Sequence, residues 1–530
     1  MTKSSFLLIV SLLLLVELAA CGQAAPPAAA PSPTAVPDDT AAADAPAATP
    51  TAVPSATTAP EDTPAPPATA VSTAPIDDAE AARLLMAFLD DSDADAQAAL
   101  DRVLAAGDQR FTAVLIEMFR ARAIGIVRTL EFETYAAALE TLTGQPLGTG
   151  LGSWIEWYAG TDLVPPPGFT SWKGRLYVRL DVFFGEFLQD RHPSRIRVEE
   201  IMWGGVVVDG IPALDNPAML PAAEAEYLDP ENAVFGLVVN GEARAYPLRI
   251  LDWHEMANDV IGGVPVSLAY CTLCGAAIAY DGRASDGETY TFGSSGFLYR
   301  SNKLMYDRQT RTLWNQLTGE PVLGELAASD VTLSLLPVVL TTWAEWQARH
   351  PETLVVDIET GYGRAYTPGA AYGNYFADER TMFPVAPRSD VLDTKAQIFA
   401  LRLGGTPKAY PLEALVAAGV VNDVVAETAV VLIAPGALID VSGVNQYVGP
   451  VTYAAGAEVR AYAGDGRLFK PGAKPDTVLD EAGGVWQVTE EALIGPDGEM
   501  APRLPGHLAY WFGWYAFFPQ TEVWSGSRDS

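Results

Sequence analysis

The sequence predicts an α+β protein: a small all-α, helical-repeat-like module, then a tandem duplicated mixed α/β domain, the whole preceded by a disordered Ala/Pro/Thr linker. Three observations predict it. Apolar residues recur at three- and four-residue intervals from Asp77 to about Gly160. Beyond residue 190, short β-type runs are punctuated by turn signals such as Asn240-Gly241. Those runs also occur twice, because residues 234–260 align without gaps onto 398–424 with eleven of 27 positions identical.

Length and charge set the outer bounds. The chain has 530 residues, enough for several domains, and 49% of them are hydrophobic, which excludes wholesale disorder. Its 33 Lys+Arg stand against 66 Asp+Glu, a formal charge of −33. Such a surface repels phosphate backbones and anionic headgroups, so neither nucleic acid nor an electrostatically bound membrane is an expected partner. Three Cys cannot make a disulfide scaffold.

At the N-terminus, Lys3 precedes an apolar run from Phe6 to Val16, the layout of a signal peptide over residues 1–20. Leu18-Ala19-Ala20-Cys21 resembles the lipobox of bacterial lipoproteins, which implies lipidation at Cys21 and an extracytoplasmic, membrane-anchored protein. Residues 21–76 form the linker: 41 of the 54 residues from 22 to 75 are Ala, Pro or Thr, and they cannot bury enough apolar surface to offset chain entropy. The helical module covers 77–165, with Leu84, Leu85, Phe88, Phe111, Val114, Leu115, Met118 and Phe119 as its core stripe. The run Asp90-Asp91-Ser92-Asp93-Ala94-Asp95 lacks the Gly and Glu of a calcium loop and is expected to join two helices.

The first α+β copy is expected over 190–356, an aromatic connector over 357–394 and a degenerate second copy over 395–530. Val234 to Val239 and Ala243 to Tyr246 should form a hairpin around Asn240-Gly241. Leu248 to Val260 has helical spacing, with Gly262-Gly263 as its stop. Val264 to Tyr270, Ala277 to Tyr280 and Thr289 to Phe292 read as strands, and Trp343 to Arg349 as a short helix.

Comparing the copies separates scaffold from chemistry. Tyr246, Pro247, Asn258, Asp259, Trp343 and Trp346 recur in the second copy and read as architecture. His254, Glu255, Cys271 and Cys274 do not recur, becoming Ala418, Gly419, Pro435 and Leu438. Cys271-Thr272-Leu273-Cys274-Gly275 has the form of a metal knuckle, with His254 as the obvious third ligand. A His254/Cys271/Cys274 set suits copper or zinc, with Met305 as an axial ligand or a core residue. Glu255 would orient His254 or act as a general base. The two Cys could equally form a redox-active pair, or be small core residues. Catalytic candidates are therefore Cys271, Cys274, His254 and Glu255.

The stretch from Thr291 to Asn302 reads as a Gly-rich turn, or as an anion cradle using Ser294, Ser295 and Arg300, while Asp307 and Arg308 read as a local ion pair. Neither a P-loop, a dinucleotide fingerprint nor a Gly-x-Ser-x-Gly elbow is met, so no nucleotide cofactor is expected. A non-catalytic binding protein, taking an envelope protein or a small molecule on the aromatic segments Tyr362 to Tyr366 and Tyr372 to Phe376, is a further reading.

Trp253-His254-Glu255, Asn258-Asp259, Gly262-Gly263-Val264-Pro265, Tyr270 to Gly275, Thr291 to Gly296, Met305-Tyr306-Asp307-Arg308 and Trp314-Asn315-Gln316 stand in one order. Together they resemble the bacterial family called domain of unknown function 3179. That family carries no assigned reaction, so the resemblance implies membership and leaves the chemistry to the residues.

Overall fold

The computed structural model describes residues 71–526. The expected signal peptide, the lipidation site Cys21 and all but the last residues of the linker lie outside them. The fold is mixed α and β, with helices gathered at the N-terminal end. Among the described residues no helix is long and apolar enough to cross a membrane.

Five helices, Asp78–Ala87, Asp93–Ala106, Thr112–Ala123, Phe132–Thr143 and Leu151–Ala159, bury Leu85, Val103, Phe119, Leu139 and Trp154 in one core. The acidic run joins the first two, and Ser92 caps the second by accepting from the Asp95 amide at 3.3 Å. The helix Phe169–Tyr177, beyond the expected end of the module, adds Phe169, Trp172 and Leu176 to this core. Glu117, on a helix buried on all sides, is satisfied by Arg120 at 3.1 Å, Lys173 at 2.9 Å and the Tyr177 hydroxyl at 2.5 Å. Lys173 also donates to the Ile201 carbonyl at 2.6 Å, tying the helices to the first strand of the β region.

In that region Ala233–Val239 and Glu242–Pro247 form the expected hairpin, Asn240 (φ +49°) and Gly241 (φ +78°) making its turn. Val339–Thr342 pairs antiparallel with the first strand, and Leu354–Val356 pairs parallel with the second. The same order returns later: Gln397–Leu403 and Thr406–Pro411 pair with each other, with His507–Tyr510 antiparallel on one side and Glu522–Val523 parallel on the other.

The helix expected over Leu248 to Val260 is shorter. It runs Leu248–His254, and Met256–Ile261 is a strand paired with Val264–Cys271 across Gly262-Gly263. Glu255, at φ +53°, ends the helix in the left-handed region. Gly262 is needed for close approach, since a Cβ there would lie 2.2 Å from the Val239 carbonyl oxygen. Val264–Cys271 then pairs with Ala276–Asp281, which we call the site hairpin.

The Gly-rich stretch expected as a turn is strand Phe292–Tyr299, buried throughout. Its glycines admit neighbours: a Cβ on Gly293 would meet an Asp209 carboxylate oxygen at 2.4 Å and the Tyr306 ring at 2.7 Å. The turn falls later, at Arg300 (φ +51°) and Ser301 (φ +64°), before strand Asn302–Asp307. Between the two sheet units the connector crosses the first with a short helix, Gly373–Phe376, and the hairpin Leu438–Asn445/Gly449–Ala457 lays Ile439, Val441 and Tyr453 into the core that holds Phe235 and Tyr270.

Candidate active site around Cys271

The site hairpin reverses in two overlapping turns, Cys274 N–H to the Cys271 carbonyl at 3.2 Å and Gly275 N–H to the Thr272 carbonyl at 3.3 Å. Gln316 holds its base by donating to the Ala269 and Ala276 carbonyls at 2.9 and 3.0 Å, one on each strand. Asn302 donates to the Gln316 side-chain oxygen at 2.8 Å and reaches the Cys274 sulfur at 3.6 Å. The second sheet unit closes the far side: the Tyr510 amide donates to the Cys274 carbonyl at 2.7 Å, and a Cβ on Gly513 would stand 3.0 Å from the Cys274 sulfur.

Both cysteines are free thiols and buried. Their surroundings differ. Burial pushes both thiols up, and for Cys274, contact with Cys271 adds to that, placing it well above the ordinary thiol range. The Ser301 carbonyl, 3.3 Å from the Cys274 sulfur, is an alternative acceptor to Cys271 for its one S–H proton. At Cys271 burial and the charge of Glu255 push the thiol up, but hydrogen bonds from the Cys274 side chain and the backbone amides of Lys303 and Cys274 outweigh them, so it falls below its ordinary value.

Glu255 points into the same place because its left-handed backbone turns it away from the helix that carries His254. Its carboxylate accepts from the Thr272 hydroxyl at 2.8 Å and the Tyr372 hydroxyl at 3.5 Å, and pairs with Lys303 at 3.3 Å. Lys303 also donates to the Glu255 carbonyl at 3.1 Å. Buried Asp252 is pushed well above the usual carboxylate range by burial and then by the charge of Glu255. Glu255, Cys271, Thr272, Ser294 and Lys303 line a cavity of about 40 Å³ roofed by Tyr372, Met382 and Phe383 of the connector.

The expected three-ligand centre is not assembled. His254 Nδ1–H donates to the Pro212 carbonyl at 2.8 Å, which leaves Nε2 to accept from the Tyr366 hydroxyl at 2.6 Å. Thr360 completes that chain by donating to Tyr366 at 2.5 Å. Burial, against the Pro212 bond, lowers the His254 pKa to about 4, so the ring is neutral with both nitrogens committed. Nor does Glu255 orient His254, since it faces Lys303. Among the described residues no three His, Cys, Asp or Glu side chains converge on one point. Met305 is fully buried and packs in the core with Trp314.

The other expected binding residues have structural partners. Ser294 lines the cavity, but Ser295 donates to the Leu304 carbonyl within the sheet. Arg300 pairs with Glu200 at 2.7 Å and donates to the Ala516 carbonyl at 2.8 Å, so it faces no anion cradle. Asp307 and Arg308 do not pair with each other. Asp307 accepts from the Trp314 indole at 2.9 Å and from Thr310, while Arg308 pairs with Asp215 at 2.5 Å. In the aromatic connector, Tyr362 is exposed, whereas Tyr366 is buried on His254 and the buried Tyr375 hydroxyl donates to the Leu273 carbonyl at 2.7 Å. Sequence reasoning missed Lys303 and Thr272. A lysine inside an apolar strand run, Lys303-Leu304-Met305, was the available signal.

The sequence profile described as a protein of unknown function (DUF3179) matches residues 208–521, which include Glu255, Cys271, Thr272, Cys274 and Lys303. The chain belongs to that family. No curated protein and no solved structure matches. The family's residues thus include the site hairpin, the connector that roofs the cavity and the sheet unit behind Cys274.

Proposed function

We propose that the chain is an extracytoplasmic thiol–disulfide redox protein in which Cys271 attacks and Cys274 resolves. One observation carries this reading: two free thiols share one tight turn, Cys271 lining the cavity and Cys274 behind it against the second sheet unit. Cys271 attacks an oxidant as thiolate and becomes covalently oxidised. Cys274, losing its proton, then displaces the attached group from the Cys271 sulfur, and the pair ends as a disulfide two electrons poorer. Glu255 is placed to take and return the proton, and Lys303 fixes the carboxylate that does so. The lipobox-like Leu18 to Cys21 and the linker behind it support tethering of this body to a bacterial envelope membrane. Matched strand order and matched side-chain bonds support an origin of the two sheet units by duplication, with the second now serving as a wall.

The test is a redox titration of the reduced full chain over graded ratios of hydrogen peroxide to thiol, quenched in acid, unfolded, alkylated and weighed by mass spectrometry. The reading expects both thiols to leave together, as one two-electron couple, with Cys271 and Cys274 recovered in one linked peptide. Thiols that stay alkylatable at every ratio, or a copper or zinc ion held by the pair and lost in Cys271→Ser, would replace it.

A further inference from the structure

We infer that the oxidant of this site is hydrogen peroxide, or a hydroperoxide no larger, and not the disulfide of another protein; this rests on the redox reading above. The carrying observation is space. Cys271 is 1% exposed, and the cavity on which it opens has a volume of about 40 Å³. Pockets that take drug-sized ligands run to roughly 300–1,000 Å³, so this one admits a very small molecule and not a polypeptide strand. A mixed disulfide with a protein would bring a second sulfur, its Cβ and a backbone to the same place.

The roof does not offer that room. Tyr375 anchors the connector on the Leu273 carbonyl at 2.7 Å, and Lys395 holds it from beneath by donating to the Asp378 carbonyl at 2.7 Å. The Ser301 hydroxyl donates to the Phe383 carbonyl at 3.3 Å, which seats Phe383 over the cavity. Met382, 40% exposed, stands at the rim.

The walls also suit the chemistry. One side is polar, with the Lys303 ammonium, the Thr272 hydroxyl and the Glu255 carboxylate, and the other is apolar, with Val206, Ile211 and Leu298. The Cys271 thiol gives its proton to Glu255. The thiolate then attacks one peroxide oxygen, the O–O bond breaks, and the leaving hydroxide, drawn to Lys303, recovers that proton as water. Cys271 is left as a sulfenic acid. The Cys274 sulfur attacks it, the S–OH bond breaks, and the hydroxide leaves with the Cys274 proton as a second water. Two thiols and one peroxide give one disulfide and two waters.

The experiment uses the reduced full-length chain, mixed separately with hydrogen peroxide, cumene hydroperoxide and oxidised glutathione. Tryptophan fluorescence gives the rate, and thiol counting and peroxide consumption give the balance. Hydrogen peroxide is expected to react about a hundredfold faster than the two bulky oxidants, one peroxide being consumed per two thiols lost. Cys274→Ser should stop after the first step, with a mass gain of one oxygen on Cys271. Met382→Ala, at an exposed rim position that tolerates truncation, should narrow the preference about tenfold by admitting cumene hydroperoxide. Cumene hydroperoxide or glutathione disulfide reacting as fast as peroxide, with the Cys271–Cys274 bond formed, would overturn the size inference and leave the redox reading standing. No change in thiol count with any oxidant would overturn both.

Discussion

The sheet units beginning at Ala233 and at Gln397 place the same side chains on the same partners. Tyr246 donates to Asp259 at 2.6 Å, with Arg244 beside it at 2.9 Å, and Tyr410 donates to Asp423 at 2.8 Å, with Lys408 at 2.9 Å. Asn258 brackets the Phe292 backbone, accepting from its amide at 3.0 Å and donating to its carbonyl at 2.8 Å, and Asn422 does the same to Phe469 at 2.8 Å each way. The indoles of Trp346 and Trp514 donate to Thr353 and Thr521 at 2.9 and 2.8 Å. Against that background five polar or thiol residues of the first unit stand out. Asp252, His254, Glu255, Cys271 and Cys274 have Val416, Ala418, Gly419, Pro435 and Leu438 as counterparts. The second unit packs without these polar groups, so the shared strand order does not by itself require them.

The largest expected effect is therefore chemical and confined to the first unit. Cys271→Ser should abolish formation of the Cys271–Cys274 disulfide in the thiol-counting assay, because one of its two sulfurs is gone, and should leave Cys274 as an unreactive, protonated thiol. Next comes the buried pair. Lys303→Met leaves Glu255 uncompensated and should cost about 3–5 kcal/mol in urea unfolding, whereas the double variant Glu255→Gln/Lys303→Met should recover more than half of that loss. A double variant as unstable as the single one would mean that Lys303 serves packing and not charge.

A pH comparison sharpens the contrast further. His254 is held near pKa 4 when folded against 6.5 as a free side chain, so between those values the unfolded chain binds the extra proton. Stability is full above 6.5 and is lost as pH falls toward 4, by about 3 kcal/mol in all. Burial holds His507 of the second unit near 4 as well, so the whole chain carries two such slopes, and only the share that His254 carries should vanish in His254→Gln, measured by urea unfolding at pH 4.5 and 7. The smallest effects belong to the shared residues. Tyr246→Phe and Tyr410→Phe should each cost about 1.5–3 kcal/mol, with the more exposed Asp423 making the second the milder, and neither should change the rate of Cys271 oxidation.

Local signals were readable where they were also sufficient. Asn240-Gly241 encodes its turn by itself, and Trp343–Arg349 carries both its spacing and its Thr342 cap. Met256–Ile261 was misread because Leu248, Leu251 and Met256 fit a helical stripe, while a left-handed Glu255 and pairing with Val264–Cys271 decide otherwise. Gly293 was read as turn chemistry because the groups that need its missing Cβ, Asp209 and Tyr306, are remote in sequence. The site was half legible. Absence from the second unit singled out Cys271, Cys274 and Glu255 correctly as neighbours, but not the direction of His254, which one backbone angle reverses. Lys303 joins Glu255 across 48 residues, beyond the reach of any local pattern.

The inequality of the two thiols is the point on which the account turns, and thiolate absorbance at 240 nm followed against pH measures it without a reagent entering the cavity. The account predicts one thiolate ionising below the ordinary thiol value of about 8.5, absent in Cys271→Ser, while Cys274 stays protonated well above it. Two thiols ionising together at or above that value, or a low-pH step that survives in Cys271→Ser, would contradict it.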